Sequence, residues 1–331
     1  MSSEERSEIL KVLSGAILRE TNAFNYYYRG SEDPAMPPAV RGLLSRLAEE
    51  ERRHRHLLIQ EYLAVKRGWR EGKGDRKDQA LSYTIPKKLT FIPLEVSSNL
   101  EAVALSLPSR LVGGDNVFAS VIRDRSGRET GTILFLYDVM GHSIETTEIN
   151  AMAARTVGEY FETSSSAKMQ MELLSPKKIV RLLNKRLNER FEGQGIFLTM
   201  LCTLFDLENE TVTYTCAGHE PPFLVHENGH VGSLLHTQLI VGIDPDFPYR
   251  EYKVPFDRGD VLCIFSDGIV EARDKNDNMF GRGGVADVLE GSWRKPLEDI
   301  VRELLNGVER HGSGAPIEDE VSIIVVRSKG A

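Results

Sequence analysis

Asp115, Asp138, Asp267 and Asp319 each stand in a short acidic turn beside an apolar, β-prone run. The turns read Gly113-Gly114-Asp115, Asp138-Val139-Met140-Gly141-His142, Ser266-Asp267-Gly268 and Glu318-Asp319-Glu320. One Asp beside a glycine is unremarkable, because its carboxylate bonds its own backbone in a turn. Four converging carboxylates are different. They repel too strongly to stay ionised together unless hard cations lie between them. That is the arrangement a two-metal hydrolase needs.

Strands must aim these side chains. Apolar runs at 117–122 and 321–326 follow the first and fourth turns, and runs at 132–137 and 261–265 lead into the second and third. Further strands are expected within 89–107, 195–206, 211–216 and 223–225, with a turn at 208–210. Helices are expected over 144–163, 176–190, 283–290 and 296–310, the second opened by Ser175-Pro176. Strand-rich blocks around helices, without βαβ alternation, indicate an α+β sandwich of two sheets flanked by helices.

The run VGGD at 112–115, DVMGH at 138–142, AGHEPP at 217–222, SDGIVEARD at 266–274 with Phe280-Gly281, and EDEVSIIVV at 318–326 resembles the bacterial SpoIIE-like (RsbU-like) 2C-type, or PPM, serine/threonine phosphatases. The resemblance spans about residues 84–328, with the motifs in the family's order. It implies the αββα fold and hydrolysis of phosphoserine or phosphothreonine by a water held between two divalent cations. Asp115, Asp138, Asp267 and Asp319 would be the catalytic metal ligands, joined by the backbone carbonyl of Val139. Ligands that are all oxygen favour Mn²⁺ or Mg²⁺. Arg110 stands where the wider superfamily carries a phosphate-contacting arginine, although a surface ion pair is the equal alternative. His219 is read first as a turn residue satisfying backbone groups, with phosphate contact or water orientation as its other roles; Glu320 is left open. Residues 274–280 resemble a mobile flap. The sequence departs from the family at Ser143, where a glycine is usual.

Ahead of this domain, residues 7–29 and 37–67 read as a helical hairpin broken by Pro34, Pro37 and Pro38. Leu13, Ala16, Glu20, Ala23 and Tyr27 on one helix and Leu44, Leu47, Glu51, His54 and Leu58 on the other recur at alternating three- and four-residue steps, a buried seam. Glu20, Glu51 and His54 in a seam must be paired or must ligate something. One Glu on one helix and Glu-x-x-His on the next is similar to the rubrerythrin and ferritin-like helix pair, which is half of a di-metal site. That resemblance implies a homodimer forming a four-helix bundle, with iron or another transition metal inside. A solvated, charge-dense face that only dimerises or docks is the plainer alternative. The expected organisation is therefore a hairpin at 1–67, a polar linker at 68–83 and a phosphatase domain at 84–331.

With 41 Lys plus Arg against 49 Asp plus Glu, a net charge of −8 argues against nucleic acid as the main partner. Cys202, Cys216 and Cys263 lie in apolar runs without CxxC spacing, which suits buried thiols in a reducing compartment. No apolar run reaches the length of a membrane span and the first residues do not read as a signal peptide, so a cytoplasmic protein is expected. The resemblance implies a phosphorylated STAS-domain anti-sigma-factor antagonist as substrate. Two rivals remain: a non-catalytic signalling scaffold, and a ferritin-like redox or metal sensor with the phosphatase as output.

Overall fold

The structure, a computed structural model, describes residues 3–33, 35–67, 85, 89–107, 115–124, 126–140, 144–165, 174–191, 196–313, 317 and 319–330. The expected linker at 68–83 lies outside them.

Two sheets stack face to face. One orders β1 (Leu100–Leu107), β11 (Val321–Ser328), β10 (Val261–Phe265), β6 (Phe223–Val225) and β7 (Val231–Ser233). The other orders β2 (Asp115–Arg123), β3 (Glu129–Met140), β4 (Phe197–Asp206), β5 (Thr211–Ala217) and β8 (Thr237–Gln238), with β9 (Tyr252–Pro255) also paired to β5. Alternation along the strands sends Leu262, Ile264, Ile324 and Val326 of one sheet against Leu134, Leu136, Leu201 and Phe205 of the other. The opposite faces are covered by helices. Ile300, Val301, Leu304 and Val308 of α7 (Leu297–Gly312), with Val285 and Leu289 of α6 (Gly281–Ser292), cover the first sheet. Ile149, Ala153 and Val157 of α3 (Ile144–Ser165), with Ile179, Leu183 and Leu187 of α4 (Pro176–Arg190), cover the second. This is the expected αββα sandwich.

The hairpin consists of α1 (Ser3–Glu32) and α2 (Pro38–Arg67). Pro38 opens α2, where a missing N–H costs nothing, and the Pro37 carbonyl accepts from the N–H groups of Val40 and Arg41 at 2.9 and 3.0 Å. Among the described residues, the buried ones are Ile17, Thr21, Phe24 and Tyr28 on α1 and Ala48, Arg52, Arg55, Ile59 and Tyr62 on α2. This corrects the expected seam by about one position. Glu20 and Glu51 are only half-buried and His54 is 57% exposed. The reason is tertiary: Ile17, Ile59 and Tyr62 pack on Phe197, Leu239, Ile240 and Ile243 of the sandwich. Burying each of those three side chains is worth about 1.5–3 kcal/mol, enough to seat the hairpin on the sandwich. No helix among the described residues is long and apolar enough to cross a membrane.

Candidate active site

The four aspartates reach one edge of the sandwich from both sheets. Asp115 opens β2 and pairs across the ladder with Asp138 of β3, whose other neighbour is Thr199 of β4. Asp138 was expected in a turn after a strand ending at 137; β3 continues to Met140 because β4 goes on pairing with it, Val139 with Leu198 and Met140 with Phe197. Val139 lies in the same stretch, its side chain buried and its backbone in the ladder with Leu198.

The other pair comes from the junction of β10 and β11. Antiparallel pairing sets the end of β10 beside the start of β11, Phe265 opposite Ile323. Ser266 locks the junction: its N–H donates to the Ser322 carbonyl at 2.9 Å and its Oγ accepts from the Ser322 N–H at 2.8 Å. Asp267 then begins the short helix α5 (Asp267–Val270), and Asp319 accepts the Glu320 N–H at 2.8 Å just before β11. A Cβ on Gly268 would lie 2.1 Å from the Glu320 carbonyl oxygen, so only glycine allows these two turns to approach.

The electrostatics report the crowding. Burial first, then the charges of Asp138 and Glu320, push Asp115 well above the ordinary carboxylate range. Burial, then Glu271, Asp319 and Asp138, do the same to Asp267. Asp115 Oδ2 is buried with no hydrogen-bond partner among the described residues. Two buried carboxyls held above their ordinary range among other carboxylates, with an unmet acceptor on Asp115, fit hard divalent cations. Arg110, Gly113, Gly114 and His142 lie outside the described residues.

A cavity of about 50 Å³ adjoins Asp138 and Asp267. Its far wall comes partly from the AGHEPP motif and partly from α2, which the sequence had not placed here. Glu220, 4% exposed, pairs with Arg282 Nη1 at 3.0 Å and lies 3.7 Å from Arg52 Nη1. Burial alone would raise its pKa, but Arg52, Arg282 and Arg55 outweigh it and hold Glu220 low. Arg52 also reaches Glu271 Oε1 at 2.9 Å, joining α2 to the SDGIVEARD motif. His219 is buried, its Nδ1 3.1 Å from Thr199 Oγ1. Burial lowers its pKa to about 4, so the ring is neutral near pH 7. Arg52 and Arg55 carry no sequence signal for this placement, because both sit in a charge-dense run that reads as a solvated face. Residues 274–280 form a tight loop in which Asp274 accepts from the N–H groups of Asn276 and Asn278, and Arg273 bridges to Met279.

On the hairpin, Glu20, Glu51 and His54 each offer a ligand atom within 4.8 Å of the others. A hydrogen bond between the two carboxyls raises Glu20 and lowers Glu51, while His54 Nδ1 lies 3.1 Å from Glu51.

Comparison with known proteins agrees with this geometry. Phosphoserine phosphatase RsbU of Bacillus subtilis (strain 168) is 22% identical over 241 residues, covering 72% of this chain and 66% of RsbU. Protein IcfG of Synechocystis sp. is 28% identical over 149 residues, 44% of this chain and 23% of IcfG. The chain thus spans just under two thirds of RsbU and about a quarter of IcfG. Among solved structures, the SiaA-PP2C domain of Pseudomonas aeruginosa matches with a TM-score of 0.57 and 18% identity, over 68% of this chain and 85% of that one. The PP2C phosphatase domain of SpoIIE from Bacillus subtilis, with a fragment of its regulatory domain, matches with a TM-score of 0.54 and 15% identity over 99% of both chains. These likenesses show a PP2C-like fold. A family model described as Stage II sporulation protein E (SpoIIE) matches residues 128–329, more than half of the sequence, and the chain belongs to that family.

Proposed function

We propose that this protein is a metal-dependent serine/threonine protein phosphatase of the partner-switching kind. The observation that carries the reading is the meeting of Asp115 and Asp138 from one sheet with Asp267 and Asp319 from the other. When bound, two divalent cations, Mn²⁺ or Mg²⁺, would supply charge stabilisation and an activated water for attack on phosphorus. The four aspartates, with the Val139 carbonyl, hold those cations. The Ser266–Ser322 lock fixes Asp267 against β11, and the ladder fixes Asp115 against Asp138. Preorganised carboxylates of this kind lose little on cation binding because they are already aimed. The substrate in this reading is a phosphorylated STAS-domain regulator, which the sequence resemblance alone implies; the name of RsbU as a phosphoserine phosphatase supports the phosphoserine.

The test is phosphate release from a phosphoserine peptide with Mn²⁺, comparing wild type with Asp267→Asn and with chelator present. Release that requires metal and falls by at least about 100-fold in the variant is expected. Equal rates in both proteins would remove Asp267 from the mechanism, and silence in both would favour a scaffold.

The Glu20, Glu51 and His54 cluster supports a second role for the hairpin, a divalent-cation seat completed by the same residues of a second copy. Cation binding beyond the equivalents held by the aspartates, lost in Glu51→Ala, with a dimer in sedimentation, is the expected result. A monomer that binds cations only through the aspartates rejects it.

A further inference from the structure

Two arginines on α2 face the catalytic cavity one turn apart, and they are used differently. Arg52 is 4% exposed and fully engaged: Nε to Glu49 at 3.0 Å, Nη1 to Glu271 at 2.9 Å, Nη2 to Met279 Sδ at 3.0 Å. Arg55 is 7% exposed, yet its Nη1 has no hydrogen-bond partner among the described residues. Its guanidinium lies 5.6 Å from the centre of the Phe24 ring, which props it towards the cavity. Burial lowers its pKa, and the charges of Glu220 and Asp267 act the other way.

His219 Nε2 is a second buried atom in the same cavity with no partner among the described residues. The geometry allows the Thr199 hydroxyl to donate to Nδ1, and in that tautomer the ring proton sits on Nε2 and makes it a donor. The cavity is therefore polarised. Asp138 and Asp267 line one side and offer oxygen to cations; Arg55 and His219 line the other and offer N–H groups. Leaving such donors unmet in a buried site is unfavourable, more so for a charged one. About 50 Å³ holds three or four waters or one small anion.

We infer that Arg55, with His219, is the seat for the phosphoryl oxygens of the substrate, so that the hairpin contributes a side chain to the catalytic pocket. The inference rests on the phosphatase reading above. A phosphoryl group has oxygens for both walls at once. The alternative role for a buried arginine, plugging the pocket against its own carboxylates, would consume the guanidinium in ion pairs. Arg52 shows what a consumed arginine on this helix looks like, and Arg55 does not share it. A planar fork also suits a tetrahedral oxyanion better than an ammonium group would.

The test uses inorganic phosphate as the probe, on the full chain loaded with Mn²⁺. Its affinity is measured by calorimetry and, in parallel, as an inhibition constant against phosphoserine-peptide hydrolysis. Arg55→Gln should weaken phosphate by about 10- to 100-fold and raise KM for the peptide, with Mn²⁺ affinity unchanged. Arg55→Lys, which keeps the charge without the fork, should recover part of the loss. Thermal melts establish that each variant is folded, and if Arg55→Gln does not fold, the lysine variant carries the comparison. Phosphate affinity within twofold of wild type, no phosphate binding by wild type, or faster hydrolysis in either variant overturns the inference. Wild-type hydrolysis with an unchanged phosphate affinity in the variants rejects the Arg55 seat alone. Arg55-dependent phosphate binding without hydrolysis rejects the phosphatase reading and leaves the seat standing.

Discussion

Gly268 shows how tightly the metal edge is built. Its substitution by alanine would drive a methyl group into the Glu320 carbonyl at 2.1 Å, a backbone atom that cannot rotate away. Gly268→Ala should lower unfolding free energy by about 3 kcal/mol, read from urea midpoints, and a loss under 1 kcal/mol would contradict the contact. His219 gives the matching pH prediction. Its pKa falls from 6.5 to about 4 on folding, so as pH drops the unfolded chain takes up the proton first. Stability present above pH 6.5 is therefore lost down to pH 4, by about 3 kcal/mol for this group. His219→Gln should flatten that acid limb by a comparable amount, measured by urea unfolding at several pH values; an unchanged limb would show that the ring is solvated. The aspartates were legible in the sequence because each adjoins an apolar strand run, Asp115 and Asp267 beside glycine, although Asp138 lies inside its strand rather than in a turn. Arg55 was not, since nothing in its own neighbours distinguishes a buried guanidinium from a solvated one.

At the level of elements, α2 is held by the Arg52 ion pairs and by the Tyr62 hydroxyl donating to the Ile243 carbonyl, beside an apolar strip. Arg52→Met removes a buried cation from Glu49, Glu220 and Glu271, which should cost about 3–5 kcal/mol and raise hydrogen exchange across residues 49–62. Arg53→Met, at the exposed neighbouring position, should change stability by less than about 0.5 kcal/mol. Comparable exchange in both variants would show that α2 is seated by Ile59 and Tyr62 alone. The helices were legible from periodicity, α4 and α7 almost to the residue. The hairpin's buried face was read about one position off, because periodicity shows that a helix has an apolar side but not what covers it. Strands β7, β8 and β9 were not anticipated, since segments of 3, 2 and 4 residues are too short to show alternation.

For the molecule as a whole, the proposed cation site predicts that stability depends on divalent cation. Mn²⁺ at 100 times its dissociation constant should add about 2.7 kcal/mol to the unfolding free energy, and chelator should remove it. A melting temperature indifferent to Mn²⁺ would show that the carboxylates do not hold it. The sandwich architecture was legible from block order, while the seating of the hairpin over the catalytic edge belongs to tertiary packing alone.

Asp115 and Asp138 belong to one sheet, and Asp267 and Asp319 flank strands of the other. Each sheet is a separate hydrogen-bonded ladder, and the packing between them is largely apolar, with little direction of its own. Cations shared by the two pairs would act as staples across that slip plane. Their effect should then appear in time as well as in equilibrium: if the sheets must part before the barrier is crossed, Mn²⁺ should slow unfolding by up to about 100-fold while leaving the refolding rate nearly unchanged.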